Sequence, residues 1–264
     1  MTEGRTVDAH PSAVGLYSNG VRGLGPGEFL DAAAAHRVPF VHLRGGPRGY
    51  GLVSAPAEQV TALARQAAGA VPVTLITADV DLCDFASPGD ARWRQASAEV
   101  ASLAQVTREL GAGSVRIVAR AIPSGAQWHA LAIPDLAARY GVTVLIELHD
   151  PAWFTPEAAD GLHKLMSSCD GLGLLLDSGQ AHDAWLQSPG VPWGSLLGGL
   201  ITHTRVVHLS DRGDGLDGHG HHLLADATSY GHHLEVAFEW TGDDRRLETC
   251  MTRYRAAVTW WEHA

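Results

Sequence analysis

The feature that most constrains this chain is a recurrence. Eight short runs of β-branched and large apolar residues alternate with longer amphipathic stretches. The runs are VGLYSN (14–19), PFVHLRG (39–45), VPVTLITADVDL (71–82), SVRIVARAI (114–122), VTVLIELHD (142–150), GLGLLLDSG (171–179), RVVHLSD (205–211) and HLEVAFEW (233–240). Runs this short and this apolar read as strands of a parallel sheet buried on both faces. Between them, helices are expected at 27–37, 57–69, 90–110, 125–141 with a break near Pro134, 155–168, 193–204 and 243–262. The 155–168 segment opens with Thr155 as N-cap and Pro156 at the first helical position. Eight strand–helix units in 264 residues predict an α/β protein made of a single (β/α)8 barrel over 1–264. An open doubly wound sheet is the alternative. No G-x-G-x-x-G follows the first run, so its dinucleotide-binding version lacks its main signal. The Gly/Asp/His-rich stretch 213–222 reads as a long loop inside the barrel repeat.

The last four runs share a second regularity. Glu147, Asp177, His208 and Glu239 end them in turn, separated by 30, 31 and 31 residues. A strand–helix unit takes roughly 30 residues, so the four hold equivalent positions in consecutive units. In a closed parallel barrel such positions share the C-terminal rim, where these barrels keep their active sites. One carboxylate ending one strand is commonly a helix cap; four ligand-type residues in register are harder to explain that way. Three carboxylates crowded together disfavour ionisation unless a counter-charge joins them, and a divalent cation is the cheapest one. Three oxygen donors and one imidazole suit Mn²⁺, Mg²⁺ or Co²⁺, and admit Zn²⁺ or Fe²⁺.

Composition narrows the partners. The formal net charge is −10, which argues against a nucleic-acid partner. No run of about 18 apolar residues exists, so no membrane span is expected, and 1–14 holds no signal-length apolar stretch. Cys83, Cys169 and Cys250 are far apart with no C-x-x-C pair, which fits reduced, buried thiols in a cytoplasmic protein. A homo-oligomer is compatible with all of this.

IELHD, GLLLDSGQAH, VVHLSD and a last strand ending in Glu resemble the xylose isomerase-like TIM barrels, a superfamily of sugar isomerases and epimerases, dehydratases and endonuclease IV. The resemblance implies that Glu147, Asp177, His208 and Glu239 coordinate one divalent metal ion and that Glu147 and Glu239 also move the proton. Two positions depart from the pattern. Gln180 stands where relatives often place a histidine, with His182 two residues on, and PAWF (151–154) replaces a segment that often carries a second glutamate. Trp153 and Phe154 are therefore candidates for a stacking wall against a ring-bearing substrate, or for packing under the loop. His149, Gln180, His182 and Arg212 complete the candidate substrate-binding set. Arg44 or Arg48 and Arg120 are the other basic residues expected near the mouth.

The region 203–233 holds seven of the fifteen histidines, and Asp217-Gly-His219 lies where endonuclease IV relatives place an Asp-x-His for extra metals. Gln180 favours a single metal, with His42 inside the second strand and aspartates rather than imidazoles in the third. The leading expectation is a metal-dependent isomerase or epimerase that abstracts a proton next to a carbonyl of a sugar-like small molecule. A dehydratase on a cyclic polyol, using the same deprotonation, is the runner-up. A phosphodiesterase on DNA and a silent ligand-binding barrel rank lower.

Overall fold

A computed structural model describes residues 13–133, 135–228 and 234–264. The expected break at Pro134, two of the seven clustered histidines (His232 and His233) and the first residue of the eighth run lie outside them. Eight strands form a closed barrel in chain order, every neighbouring pair parallel: β1 (Val14–Tyr17), β2 (Val41–Arg44), β3 (Val73–Asp81), β4 (Ser114–Ala119), β5 (Thr143–Leu148), β6 (Leu172–Asp177), β7 (Thr204–Asp211) and β8 (Glu235–Trp240). The fold is a (β/α)8 barrel. The helices are α1 (Pro26–Ala35), α2 (Ala57–Gly69), α3 (Ala91–Glu109), α4 (Gly125–Ala130), α5 (Leu136–Tyr140), α6 (Pro156–Ser168), α7 (Ser178–Gln187), α8 (Trp193–Ile201), α9 (His219–Thr228) and α10 (Leu247–Trp261).

Side chains alternate across a strand, and that alternation separates two cores. One set packs outward under the helices, where Leu16, Leu43, Ile76, Ile117, Ile146, Leu176, Val207 and Phe238 are all buried. The other faces the barrel axis, where Leu75, Leu145, Leu175 and Val206 make a small cluster of their own. Stepping two residues along β5, β6 and β7 from Leu145, Leu175 and Val206 reaches Glu147, Asp177 and His208. The inner apolar layer thus forms the floor on which the polar rim stands.

Two helices depart from expectation. The sequence places no helix between 168 and 193, where α7 runs, and the long loop expected at 213–222 becomes α9 from His219. Both carry weak helix formers, Gly179 in one and Gly220 in the other, so the periodic signal is faint. Packing supplies what propensity lacks. A Cβ on Gly220 would stand 2.3 Å from the His182 Cα, so only glycine lets α9 lie this close to α7. All three cysteines are free, and only Cys250 is buried; Cys83 and Cys169 are half-buried, against the expectation. Among the described residues no helix is long and apolar enough to cross a membrane.

Candidate active site

The four rim residues converge. Glu147, Asp177, His208 and Glu239 are all buried, and one ligand atom from each lies within 4.8 Å of the other three. Donors each about 2.1 Å from one shared ion span a similar distance. No other such group of histidine, cysteine and acidic residues occurs among the described residues, and 217–222 contributes nothing to this one.

Each member is held differently. Asp177 is the N-cap of α7: its Oδ1 accepts from the Gln180 backbone N–H at 2.9 Å. The Ser210 hydroxyl sits between Asp177 Oδ2 and Glu239 Oε2, within hydrogen-bond reach of both, and its single proton serves one at a time. Burial and the negative charges of Glu239 and Glu147 push the Asp177 carboxyl up to about 6. Glu239 also accepts from Asn19 Nδ2 at 2.5 Å. Burial works to raise its carboxyl, but His208, when protonated, and Asn19 outweigh that and hold it below the usual range.

Glu147 has a cation beside it that the sequence reading did not foresee. Arg116, in the middle of β4, is buried and places its Nε 2.7 Å from Glu147 Oε2. The alignment falls short of a hydrogen bond, so this is a charge contact with both atoms otherwise unpartnered. Other guanidinium nitrogens donate to the Tyr17 hydroxyl at 2.9 Å and the Ala78 carbonyl at 3.2 Å. Burial would raise the Glu147 carboxyl, yet Arg116, His149 and His208 together outweigh it and hold the group at about 2. A metal is therefore not the site's only counter-charge. The signal was present in the sequence: an arginine flanked by Val115 and Ile117 inside an apolar run.

His208 ends a buried chain of hydrogen bonds. Its Nε2 is 2.9 Å from His42 Nδ1, and His42 Nε2 is 2.6 Å from Glu235 Oε1, which also accepts from Thr74 Oγ1 at 2.9 Å. The network assigns the tautomers. Glu235 accepts, so His42 carries its proton on Nε2; burial keeps that ring neutral by lowering its pKa to about 4. His42 Nδ1 then accepts from His208 Nε2–H, which leaves the His208 Nδ1 lone pair free. That Nδ1 is buried, has no hydrogen-bond partner and lies 3.6 Å from Glu239 Oε2. A lone pair aimed into three carboxylates is a poor arrangement for the protein alone and a suitable one for a divalent cation. The residues present fit such an ion.

The substrate candidates separate. His149 is half-exposed beside the cluster, its Nδ1 3.7 Å from Glu147 Oε1. Arg212 stands at the rim and pairs with Asp183 at 2.5 Å. Gln180 is buried in the first turn of α7. His182 joins a stack, its ring 6.2 Å from Trp185 and 5.0 Å from His221, and is not a member of the four-ligand group. Trp153 and Phe154 take the second of the two readings left open for them. Both belong to the outer core, and the Trp153 indole donates to the Ala119 carbonyl at 2.8 Å, so they pack under the loop. Arg48 and Arg120 are tied to Asp79 and Asp81 at 3.1 and 3.2 Å. Besides Arg116, the residues missed are Asn19 and Ser210; Ser210 lies two positions beyond His208 on the same inward face, which the alternation alone could have indicated.

Comparisons with known proteins agree with this fold. No curated protein sequence gives a significant match to the chain. Among solved structures, the chain is similar to 3-keto-D-glucoside 4-epimerase from E. coli, at 14% identity and a TM-score of 0.66, over 96% of this chain and 100% of that one. It is similar to D-psicose 3-epimerase from Clostridium cellulolyticum H10 at 12% identity and a TM-score of 0.71, over 95% and 98%. A zinc-bound IolI protein aligns at 15% identity and a TM-score of 0.72, over 95% and 98%. The model of the xylose isomerase-like TIM barrel family matches residues 30–238, and the chain belongs to that family.

Proposed function

We propose that the protein is a divalent-metal-dependent isomerase or epimerase acting on a small polyhydroxylated carbonyl compound. The observation that carries this reading is the buried convergence of Glu147, Asp177, His208 and Glu239. The family and the epimerase names among the structural neighbours support it. The oxygen-rich donor set favours Mn²⁺, Mg²⁺ or Co²⁺, while the zinc in one neighbour keeps Zn²⁺ in play. When bound, the ion supplies Lewis-acid polarisation of a substrate carbonyl and acidifies the adjacent C–H.

The chain's own residues divide the remaining work. Glu147 and Glu239 stand on strands three apart in the barrel order, so they reach a bound substrate from different sides. Both carboxyls are held below the usual range, hence ionised at neutral pH. One removes a proton from carbon and the other returns one, the division of labour that epimerisation requires. A carboxylate held at about 2 is a feeble base, so the C–H it attacks has to be strongly acidified. His149, whose Nδ1 lies 3.7 Å from Glu147 Oε1, has its pKa raised by that carboxylate and can pass a proton between Glu147 and solvent.

Incubating the metal-loaded protein with neutral ketoses, their phosphorylated and carboxylated counterparts, and cyclic polyols in D₂O tests this. The expected result is solvent deuterium at the carbon beside the carbonyl, lost on chelation. Metal-loaded protein that exchanges no proton in any of these compounds contradicts the reading, and loss of water in place of exchange converts it to the dehydratase.

A further inference from the structure

Beside the carboxylate cluster the rim carries a separate, cationic cleft. Its volume is about 420 Å³, and its lining includes Ser18, Asn19, Arg22, Arg44 and Tyr50, from the turns that follow β1 and β2. Arg48 also lines it, but Asp79 neutralises that side chain. Among the described residues, neither Arg22 nor Arg44 has a carboxylate within salt-bridge distance, nor does Arg245, which reaches the cleft wall by donating to the Asn19 carbonyl at 3.1 Å. Burial loosens the hold of Arg245 on its proton and the charges of Arg22 and Arg44 loosen it further, against the pull of Glu239 and Asp243. Arg22 and Arg44 thus line the cleft without a salt-bridge partner, which is unexpected in a chain of net charge −10, while Arg245 stands behind them with its guanidinium donating to the Asn19, Thr241 and Gly242 carbonyls.

The cleft is wired to the reaction centre. Asn19 donates through Nδ2 to Glu239 Oε1 at 2.5 Å and accepts through Oδ1 from Arg44 at 3.0 Å. The Arg44 backbone N–H donates to Ser18 Oγ at 2.9 Å, which fixes the end of β2 against β1. One asparagine side chain therefore separates a metal-ligand candidate from the cationic cleft.

We propose that the substrate carries an oxyanion substituent, a carboxylate or a phosphate a few bonds from the reacting carbon, and that Arg22 and Arg44 bind it. Planar guanidinium forks match both anions in bidentate geometry. Uncharged ketoses leave this cleft unfilled and are poor substrates on this account. The inference rests on the isomerase reading for the identity of the reacting carbon, but the cleft can be tested without it.

The test is calorimetric titration of the metal-free full-length protein, so that no anion binds through a metal. Inorganic phosphate and succinate serve as probes, with wild type, Arg22→Gln and Arg44→Gln compared at fixed ionic strength. Saturable one-to-one binding of at least one probe is expected, weakened about tenfold or more in each variant, as loss of a charged hydrogen bond implies. Which probe binds tells phosphate from carboxylate. Arg22 is exposed, so its variant keeps the fold if Arg44→Gln does not. Binding of neither probe, or binding unchanged in Arg22→Gln, overturns the proposal. Failure of the deuterium exchange experiment leaves these titrations standing.

Discussion

The two halves of the barrel mouth face the same solvent with different chemistry. Strands β5, β6 and β8 bring Glu147, Asp177 and Glu239 to the rim, with no buried cation on any strand from β5 to β8. Strands β2 and β4 bring Arg44 and Arg116, and the turn after β1 adds Arg22. Among the described residues, only one pair crosses between the halves as a direct charge contact, Arg116 with Glu147. The difference shows that the site is not a symmetric acidic ring waiting for any cation. One half offers a hard ligand set, the other offers counter-charge and a place for an anion, and Glu147 stands at the boundary.

The largest break in that comparison comes from the two glutamates. Glu147→Gln and Glu239→Gln should each lower turnover by about 10²–10⁴-fold, the range for a lost acid–base group. Their stabilities should differ. Glu147→Gln leaves Arg116 buried without its partner and should destabilise by about 3 kcal/mol. Glu239→Gln relieves the crowding around Asp177 and should leave the melting midpoint of the metal-free protein almost unchanged. Equal melting curves for the two would mean that Arg116 does not serve Glu147 in solution.

Next in size is the buried chain behind His208. His42→Leu removes the group that fixes its tautomer and should weaken metal binding by about 10–100-fold, the usual effect of losing such a partner. His219→Ala lies outside the four-ligand group and should leave affinity alone. Metal titrations that rank the two variants the other way would move the site towards α9.

A smaller effect follows from pH. The Asp177 carboxyl is raised to about 6 in the folded, metal-free protein. Below that pH it carries a proton that an incoming cation has to displace, so apparent metal affinity should fall about tenfold for each unit below 6 and flatten above it. The same shift acts on stability: a raised folded pKa favours the protonated form, so this contribution is present below about 4 and lost as pH rises through 6. Affinity that stays flat from pH 5 to 7 contradicts the assignment. The smallest expected effect is that of Gln180→His, which should keep metal affinity and add a titratable group near pH ~6–7 to the rate profile. An unchanged profile would mean that residue 180 takes no part at the mouth.

Much of this architecture was legible in the residues. Runs such as VTVLIELHD are apolar on both faces and short, so strand identity and parallel order followed from burial alone. The 30- and 31-residue spacing placed the ligand candidates because a repeating fold converts equal spacing into a common rim. What stayed hidden depended on cross-barrel contact. Arg116 is close to Glu147 only because β4 pairs with β5, and Asn19 meets Glu239 only because the barrel closes β1 on β8. Helices α7 and α9 were missed because packing through Gly218 and Gly220 holds them. Trp153 and Phe154 could be read as either wall or core, since an aromatic after a strand serves both and only burial decides.

The central claim is that Glu147, Asp177, His208 and Glu239 hold a single divalent ion. Counting metal per chain by elemental analysis, after reconstitution and removal of excess ion, tests it most directly. The account predicts close to one ion per chain in wild type and close to none in an Asp177→Asn/His208→Ala variant that still melts cooperatively. Retention of the ion by that variant, or about three ions per chain in wild type, would contradict it.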